Sequence, residues 1–122
     1  MDNDLMIDVR KDDKIAIIEL AGEVDAYTSS KFKEVMIEQI ESGSSHLIVN
    51  MENVEYIDSA GLGALVGGLK RASEHNGKIV VVCSKPQIKK VFEITGLERV
   101  FPIFNDEVSA KSAAEETHRP TV

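Results

Sequence analysis

The sequence contains no tryptophan, one cysteine and three prolines, and only 5% of its 122 residues are aromatic. A lone cysteine, Cys83, excludes an internal disulfide framework, so a core must hold the fold. Basic residues are in deficit: 14 Lys and Arg against 21 Asp and Glu give a formal charge of −7. Such an acidic surface repels phosphate backbones and anionic lipid, which argues against nucleic-acid and membrane-surface roles. It leaves attraction to a basic partner open. Long hydrophobic runs are missing too. The longest uncharged apolar stretch, residues 60–69, has ten residues, four of them glycine, whereas a membrane helix needs about 20 apolar residues. The N-terminus, Met1-Asp2-Asn3-Asp4, is acidic where a secretion signal would be basic. A soluble, cytoplasmic protein is expected.

What is present suits one packed domain: 43% hydrophobic and 29% charged residues. Leu5, Ile7 and Val9 alternate with Met6, Asp8 and Arg10, the period of a half-buried strand. A polar turn over 11–14 leads to a second strand over 15–20, so a hairpin is predicted. Gly22 breaks that strand, and Asp25 is placed as the cap of a helix running to about Ser42. Phe32, Val35, Met36 and Ile40 give this helix its buried face.

Leu47-Ile48-Val49 has the continuous apolar character of a strand covered on both sides, as does Ile79-Val80-Val81-Val82-Cys83. Between them a second helix is predicted over 59–75, with Leu62, Leu65, Val66 and Leu69 as its core stripe and Asn76-Gly77 as its stop. Pro86 opens a third helix with Ile88, Val91 and Phe92 inward, closed by Gly96. A short strand over 101–104 and a helix over 106–114 complete the series. The residues after 115 have little to bury, so residues 1–115 are assigned to the domain and 116–122 to a flexible tail. Alternation of this kind makes an α/β layer fold, with a mostly parallel sheet and one antiparallel edge hairpin. Sites in such folds lie beyond the carboxyl ends of the strands, here near 22–28, 54–61 and 83–86.

Catalytic chemistry finds little support. His46, His75 and His118 are far apart and lack metal-ligand spacing. Residues 63–68 imitate the start of a phosphate-binding loop, but Leu69 and Lys70 stand where Lys and Ser or Thr are required. Gly61-Leu62-Gly63 begins a dinucleotide fingerprint that Val66 interrupts. Ser59 lacks the glycine two positions earlier that a nucleophile elbow needs, because Ile57 is there.

One segment stands out: Asp58-Ser59-Ala60-Gly61-Leu62-Gly63. Either Asp58 or Ser59 serves as the cap of the second helix. The glycines at 61, 63, 67 and 68 would each cost about 0.8–1.0 kcal/mol relative to alanine inside a helix. A strip of small residues (Ala60, Gly63 or Ala64, Gly67) offsets that cost if another surface approaches closely. That surface is either the protein's own sheet and helices or a docked partner. A phosphate on Ser59 would add about −1.5 to −2 charge at a helix N-terminus, which tolerates it, while changing the face a partner meets.

These residues resemble the STAS domain, and more narrowly the bacterial anti-sigma factor antagonists. The resemblance rests on Gly22-Glu23-Val24-Asp25-Ala26-Tyr27, Leu47-Ile48-Val49-Asn50-Met51, Val54-Glu55-Tyr56-Ile57-Asp58-Ser59-Ala60-Gly61-Leu62-Gly63 and Ile94-Thr95-Gly96-Leu97. It implies an α/β, STAS-like fold: a mixed, mostly parallel sheet of four to five strands packed with four helices. It implies a binding module without catalysis of its own, needing no cofactor or metal and monomeric when free. Ser59 would be phosphorylated by an anti-sigma factor that is also a serine kinase. The unphosphorylated form would bind that kinase and free a sigma factor for transcription, and a PP2C-type phosphatase would reset it. The partner surface carried over comprises Asp25, Thr28, Asp58, Ser59, Ala60, Gly61, Leu62 and Gly63. Gly68 and Leu69 depart from the family pattern. The competing readings are a STAS scaffold or partner-switching module in a non-transcriptional complex, in which Ser59 only caps a helix, and a nucleotide-binding protein.

Overall fold

Alternating apolar residues build β1 (Met6–Asp12), which pairs antiparallel with β2 (Ile15–Val24). The computed structural model describes residues 5–115; the tail assigned to 116–122 and His118 lie outside the described residues. Asp13 makes the hairpin turn with φ 61°, a left-handed conformation that aspartate tolerates better than most residues. Beyond the hairpin come β3 (His46–Ile57), β4 (Lys78–Val82) and β5 (Ile103–Phe104), all parallel to β2. The sheet order is β1-β2-β3-β4-β5.

The parallel strands β2 to β5 lie in sequence order, and crossovers of one hand between them place all the crossover helices on one face. These are α1 (Ser29–Glu41), α2 (Ser59–Glu74) and α3 (Pro86–Thr95). They share the larger core with Ile18, Leu20, Leu47, Val49, Met51 and Val81. Phe101 joins it, edge-on to Phe92 at 6.2 Å between ring centres. The last helix, α4 (Glu107–Glu115), follows β5 and covers the opposite face. There Ala110 and Ala114 pack on Ile15, Ile17, Ile48, Val80 and Val82.

Several expectations need correction. The third strand runs well past Leu47-Ile48-Val49, because two irregularities interrupt its apolar alternation. Glu19 pairs with Asn50 but Ala21 with Asn53, and Gly22 pairs with Val54 but Glu23 with Tyr56. Each bulge inserts one residue into β3. Asn50, buried on the α4 side, compensates the first: its Oδ1 accepts the Glu52 N–H at 2.9 Å, while its Nδ2 donates to Glu107 at 2.6 Å. The first helix begins at Ser29, not after Asp25. In α2 the stripe of large residues holds in part: Leu65 is in the core and Leu62 and Leu69 pack against it, but Val66 does not. Leu62 and Leu69 are only half-buried, at the edge of the core, and Val66 is 44% exposed. The most deeply buried positions of the helix are Gly61, Ala64, Gly68 and Ala72, together with Leu65. Gly68 allows this because a Cβ there would meet the Met36 sulfur at 2.6 Å. At the end of α2, Asn76 rather than Gly77 takes the left-handed φ of 61°. Gly77 donates to the Ala72 carbonyl at 2.7 Å and Asn76 to that of Ser73 at 3.1 Å, the paired bonds of a Schellman ending.

Candidate functional site

Val24 and Ile57 are the last paired residues of β2 and β3. The residues that follow, Asp25 and Asp58, therefore emerge next to each other at the carboxyl end of the sheet. The Asp58 N–H donates to the Val24 carbonyl at 3.2 Å and ties the two exits together.

Asp25 is 9% exposed and organises the β2–α1 connection rather than a helix cap. Its Oδ1 accepts the N–H groups of Tyr27 at 2.9 Å and Thr28 at 3.1 Å. The Thr28 hydroxyl accepts the Asp25 N–H at 2.9 Å and donates to the Glu23 carbonyl at 2.8 Å. Thr28 occupies the position before α1, but its side chain caps nothing in that helix. This closed set of bonds fixes the connection and lifts Tyr27 outward, 89% exposed.

Asp58 caps α2. Its backbone is extended, and its Oδ1 accepts from Ala60 N–H at 2.9 Å and Gly61 N–H at 3.1 Å. The choice between Asp58 and Ser59 as cap is thus settled in favour of Asp58. Ser59 is the first helical residue and is exposed, and its hydroxyl makes no hydrogen bond among the described residues. Its position is fixed from below by Gly61. A Cβ at Gly61 would stand 2.5 Å from the Val24 carbonyl oxygen and 2.8 Å from Ile57 Cγ1. The absence of a side chain there lets the first turn of α2 settle onto the ends of β2 and β3.

The remaining residues assigned to the surface divide by exposure. Gly63 is exposed, with open space where a Cβ would be, whereas Ala60 and Leu62 are half-buried. Ser59, Gly63, Val66 and Lys70 form an exposed line along α2 at spacings of four, three and four. Two exposed residues near this end of the sheet are not singled out by the sequence, Tyr27 and Tyr56 (49% exposed), and Val66, assigned to the core stripe, is exposed instead. Both tyrosines lie in quoted motifs, but nothing in their local spacing tells outward from inward.

The geometry offers little to other chemistries. Among the described residues no group of three or more His, Cys, Asp and Glu is placed to hold a metal. The amides of Ala60 and Gly61, which a phosphate-binding loop would present, are already taken by the Asp58 carboxylate. The later glycines lie inside the helix rather than in a loop before it. Cys83 is buried, and burial pushes its thiol up, away from the reactive thiolate. No helix among the described residues is long and apolar enough to cross a membrane.

A mixed five-stranded sheet with three helices on one face, and a serine at the start of the second, defines a recognisable class. The STAS domain family model matches residues 6–110, and the chain belongs to that family. It is 36% identical over 94 residues to the anti-sigma-B factor antagonist of Staphylococcus aureus, covering 77% of this chain and 87% of the relative. Its fold is similar to an anti-sigma factor antagonist from Mycobacterium paratuberculosis, with a TM-score of 0.85 and 21% identity. That match covers 94% of this chain and 97% of the other. It is similar too to the Bacillus cell fate determinant SpoIIAA in its phosphorylated form, with a TM-score of 0.70 and 20% identity over 88% of this chain and 99% of that one.

Proposed function

We propose that this chain is an anti-sigma factor antagonist: a cytoplasmic binding module whose affinity for an anti-sigma factor is switched at Ser59. The observation that carries this reading is the division of labour between Asp58 and Ser59. Asp58 makes both capping bonds, so the Ser59 hydroxyl is exposed and uncommitted. A group can be added to it without removing any bond the fold uses. The helix N-terminus tolerates the added charge, so the fold survives while the face presented to a partner changes.

On this reading the anti-sigma factor is also the serine kinase, and a PP2C-type phosphatase restores the free hydroxyl. Ser59, Ala60, Leu62 and Gly63 meet the partner directly. Asp25, Thr28, Asp58 and Gly61 shape that surface from beneath: Asp25 and Thr28 fix the β2–α1 connection, Asp58 bonds to Val24, and Gly61 lets α2 settle on both strand ends. The relatives named as antagonists supply the class of partner, and the capped, accessible serine supplies the switch.

A quantitative pull-down from the source organism with wild type, Ser59→Ala and Ser59→Asp tests this. Wild type and Ser59→Ala should retain an anti-sigma factor with a kinase domain, and Ser59→Asp should lose it. Purified with ATP, that partner should add one phosphate to wild type and none to Ser59→Ala. Equal retention by all three baits would favour the scaffold reading, in which Ser59 carries no signal.

A further inference from the structure

The sheet face that carries α4 is only partly covered. The helix lies over β3, β4 and β5, and its first residue, Glu107, reaches back to Arg10 on β1. Among the described residues, no helix lies over the carboxyl half of β2 and the adjoining parts of β1 and β3 on this side.

Strand register identifies what they present. Ile15 and Ile17 belong to the core beneath α4, so alternation places Glu19, Ala21 and Glu23 on the same face. Their partners across the strands are Asp8, Met6, Asn53 and Tyr56. Met6 is 70% exposed and Tyr56 49%, and half-buried Ala21 is the partner of Met6. Met6, Asp8, Glu19 and Ala21 line a shallow depression. The charge there is mostly acidic. Asp8 and Glu19 are directly opposite, a like-charge cross-strand pair that disfavours the free protein, and Glu23 extends the acidic rim. Arg10, on the same face, donates to both carboxylate oxygens of Glu107, at 3.2 and 2.8 Å, and pairs with Glu19 at 3.3 Å, which leaves Asp8 and Glu23 as the carboxylates without a cationic partner among the described residues.

We infer that this bare sheet face is a second docking surface, for a basic amphipathic segment of a partner protein. Its apolar side chains would lie over Met6, Ala21 and Tyr56, and its lysines or arginines would meet Asp8, Glu19 and Glu23. Charge complementarity selects that occupant. A second copy of this acidic chain would bring carboxylates against carboxylates, whereas a cationic segment would meet Asp8 and Glu23, which have no cationic partner among the described residues. The surface lies across the sheet from α2, so it operates independently of the state of Ser59.

The test titrates a short Lys/Leu peptide, amphipathic at helical spacing, into isotopically labelled full-length protein. A scrambled peptide of the same composition serves as control. Amide shifts should centre on Met6, Asp8, Glu19, Ala21, Glu23, Asn53 and Tyr56, and the scrambled peptide should bind more weakly. Asp8→Asn with Glu23→Gln should weaken binding about fivefold or more, in line with the loss of two rim charges, and raised salt should act the same way. Neither side chain makes a hydrogen bond among the described residues, and removing the Asp8 charge relieves repulsion, so the double variant should keep its thermal stability. Ser59→Asp should bind the peptide like wild type, which separates this surface from the Ser59 switch. Shifts centred on another acidic surface such as α1, equal binding by the scrambled peptide, or unchanged affinity in the double variant would each overturn the assignment.

Discussion

Gly61 lies so close to Val24 that a Cβ at position 61 would stand 2.5 Å from the Val24 carbonyl oxygen and 2.8 Å from its Cγ1. Both obstacles belong to a strand end buried in the core, so neither can swing aside. Gly61→Ala is therefore expected to destabilise by about 1–3 kcal/mol, as overpacked sites do, although alanine is the better helix former. Gly63→Ala meets nothing within 4 Å and should stabilise by about 0.8–1.0 kcal/mol. Urea unfolding of the two variants checks the opposite signs. Destabilisation by both would mean that the first turn of α2 is held differently.

The same turn yields a second contrast. Asp58→Ala removes both capping bonds and should cost about 1 kcal/mol. Ser59→Ala removes none and should stay within about 0.5 kcal/mol of wild type. Thermal unfolding of the pair measures the difference. Equal losses would show that the Ser59 hydroxyl contributes to the cap, and the case for an uncommitted serine would fail.

Asp58 and Ser59 were legible because a cap and its helix are neighbours in sequence. The strands around Val49 and Val81 were legible from their apolar runs, and the ends of α3 from Pro86 and Gly96. Bulges were not, since two inserted residues in β3 break the period that marks a strand while leaving Val54 and Ile57 facing the core. The buried face of α2 misled for a related reason. Hydrophobicity ranks Val66 above Gly68, but the close approach of Met36 admits only the smaller residue. Glu107, Arg10 and Asn50 meet across 97 and 57 positions of chain, a relation no local pattern encodes.

Val66 offers a direct probe of the partner surface, because it is 44% exposed on the line of α2 that begins at Ser59. Val66→Glu should weaken binding to the anti-sigma factor about tenfold or more, as loss of an apolar contact near an interface centre does. Its thermal midpoint should barely move. Leu65→Ala, one position away and fully buried, should instead cost about 2–5 kcal/mol of stability. Calorimetric binding and unfolding on both variants separate interface from core. Unaltered binding by Val66→Glu would place the partner elsewhere on the molecule.

Acid should loosen α4 before the rest of the domain. Hydrogen bonding from Arg10 holds the Glu107 carboxyl below its ordinary range, with Asn50 adding a second donor. The Ser109 N–H does the same for Asp106 at the helix start, from 2.8 Å. A carboxylate with a depressed folded pKa stabilises the fold fully above its unfolded value, about 4.3 for glutamate. That contribution disappears as the pH falls through the folded value. Wild-type stability should therefore decline as the pH falls below about 4.3, and Glu107→Gln, which cannot titrate, should show a shallower decline over the same range. Amide exchange at Ala110 and Ala114 should rise first, since those residues bury the helix against the sheet. Denaturant unfolding across that pH range, with exchange read residue by residue, makes the comparison. Identical pH slopes for the two proteins would show that the Arg10–Glu107–Asn50 contact does not anchor the helix.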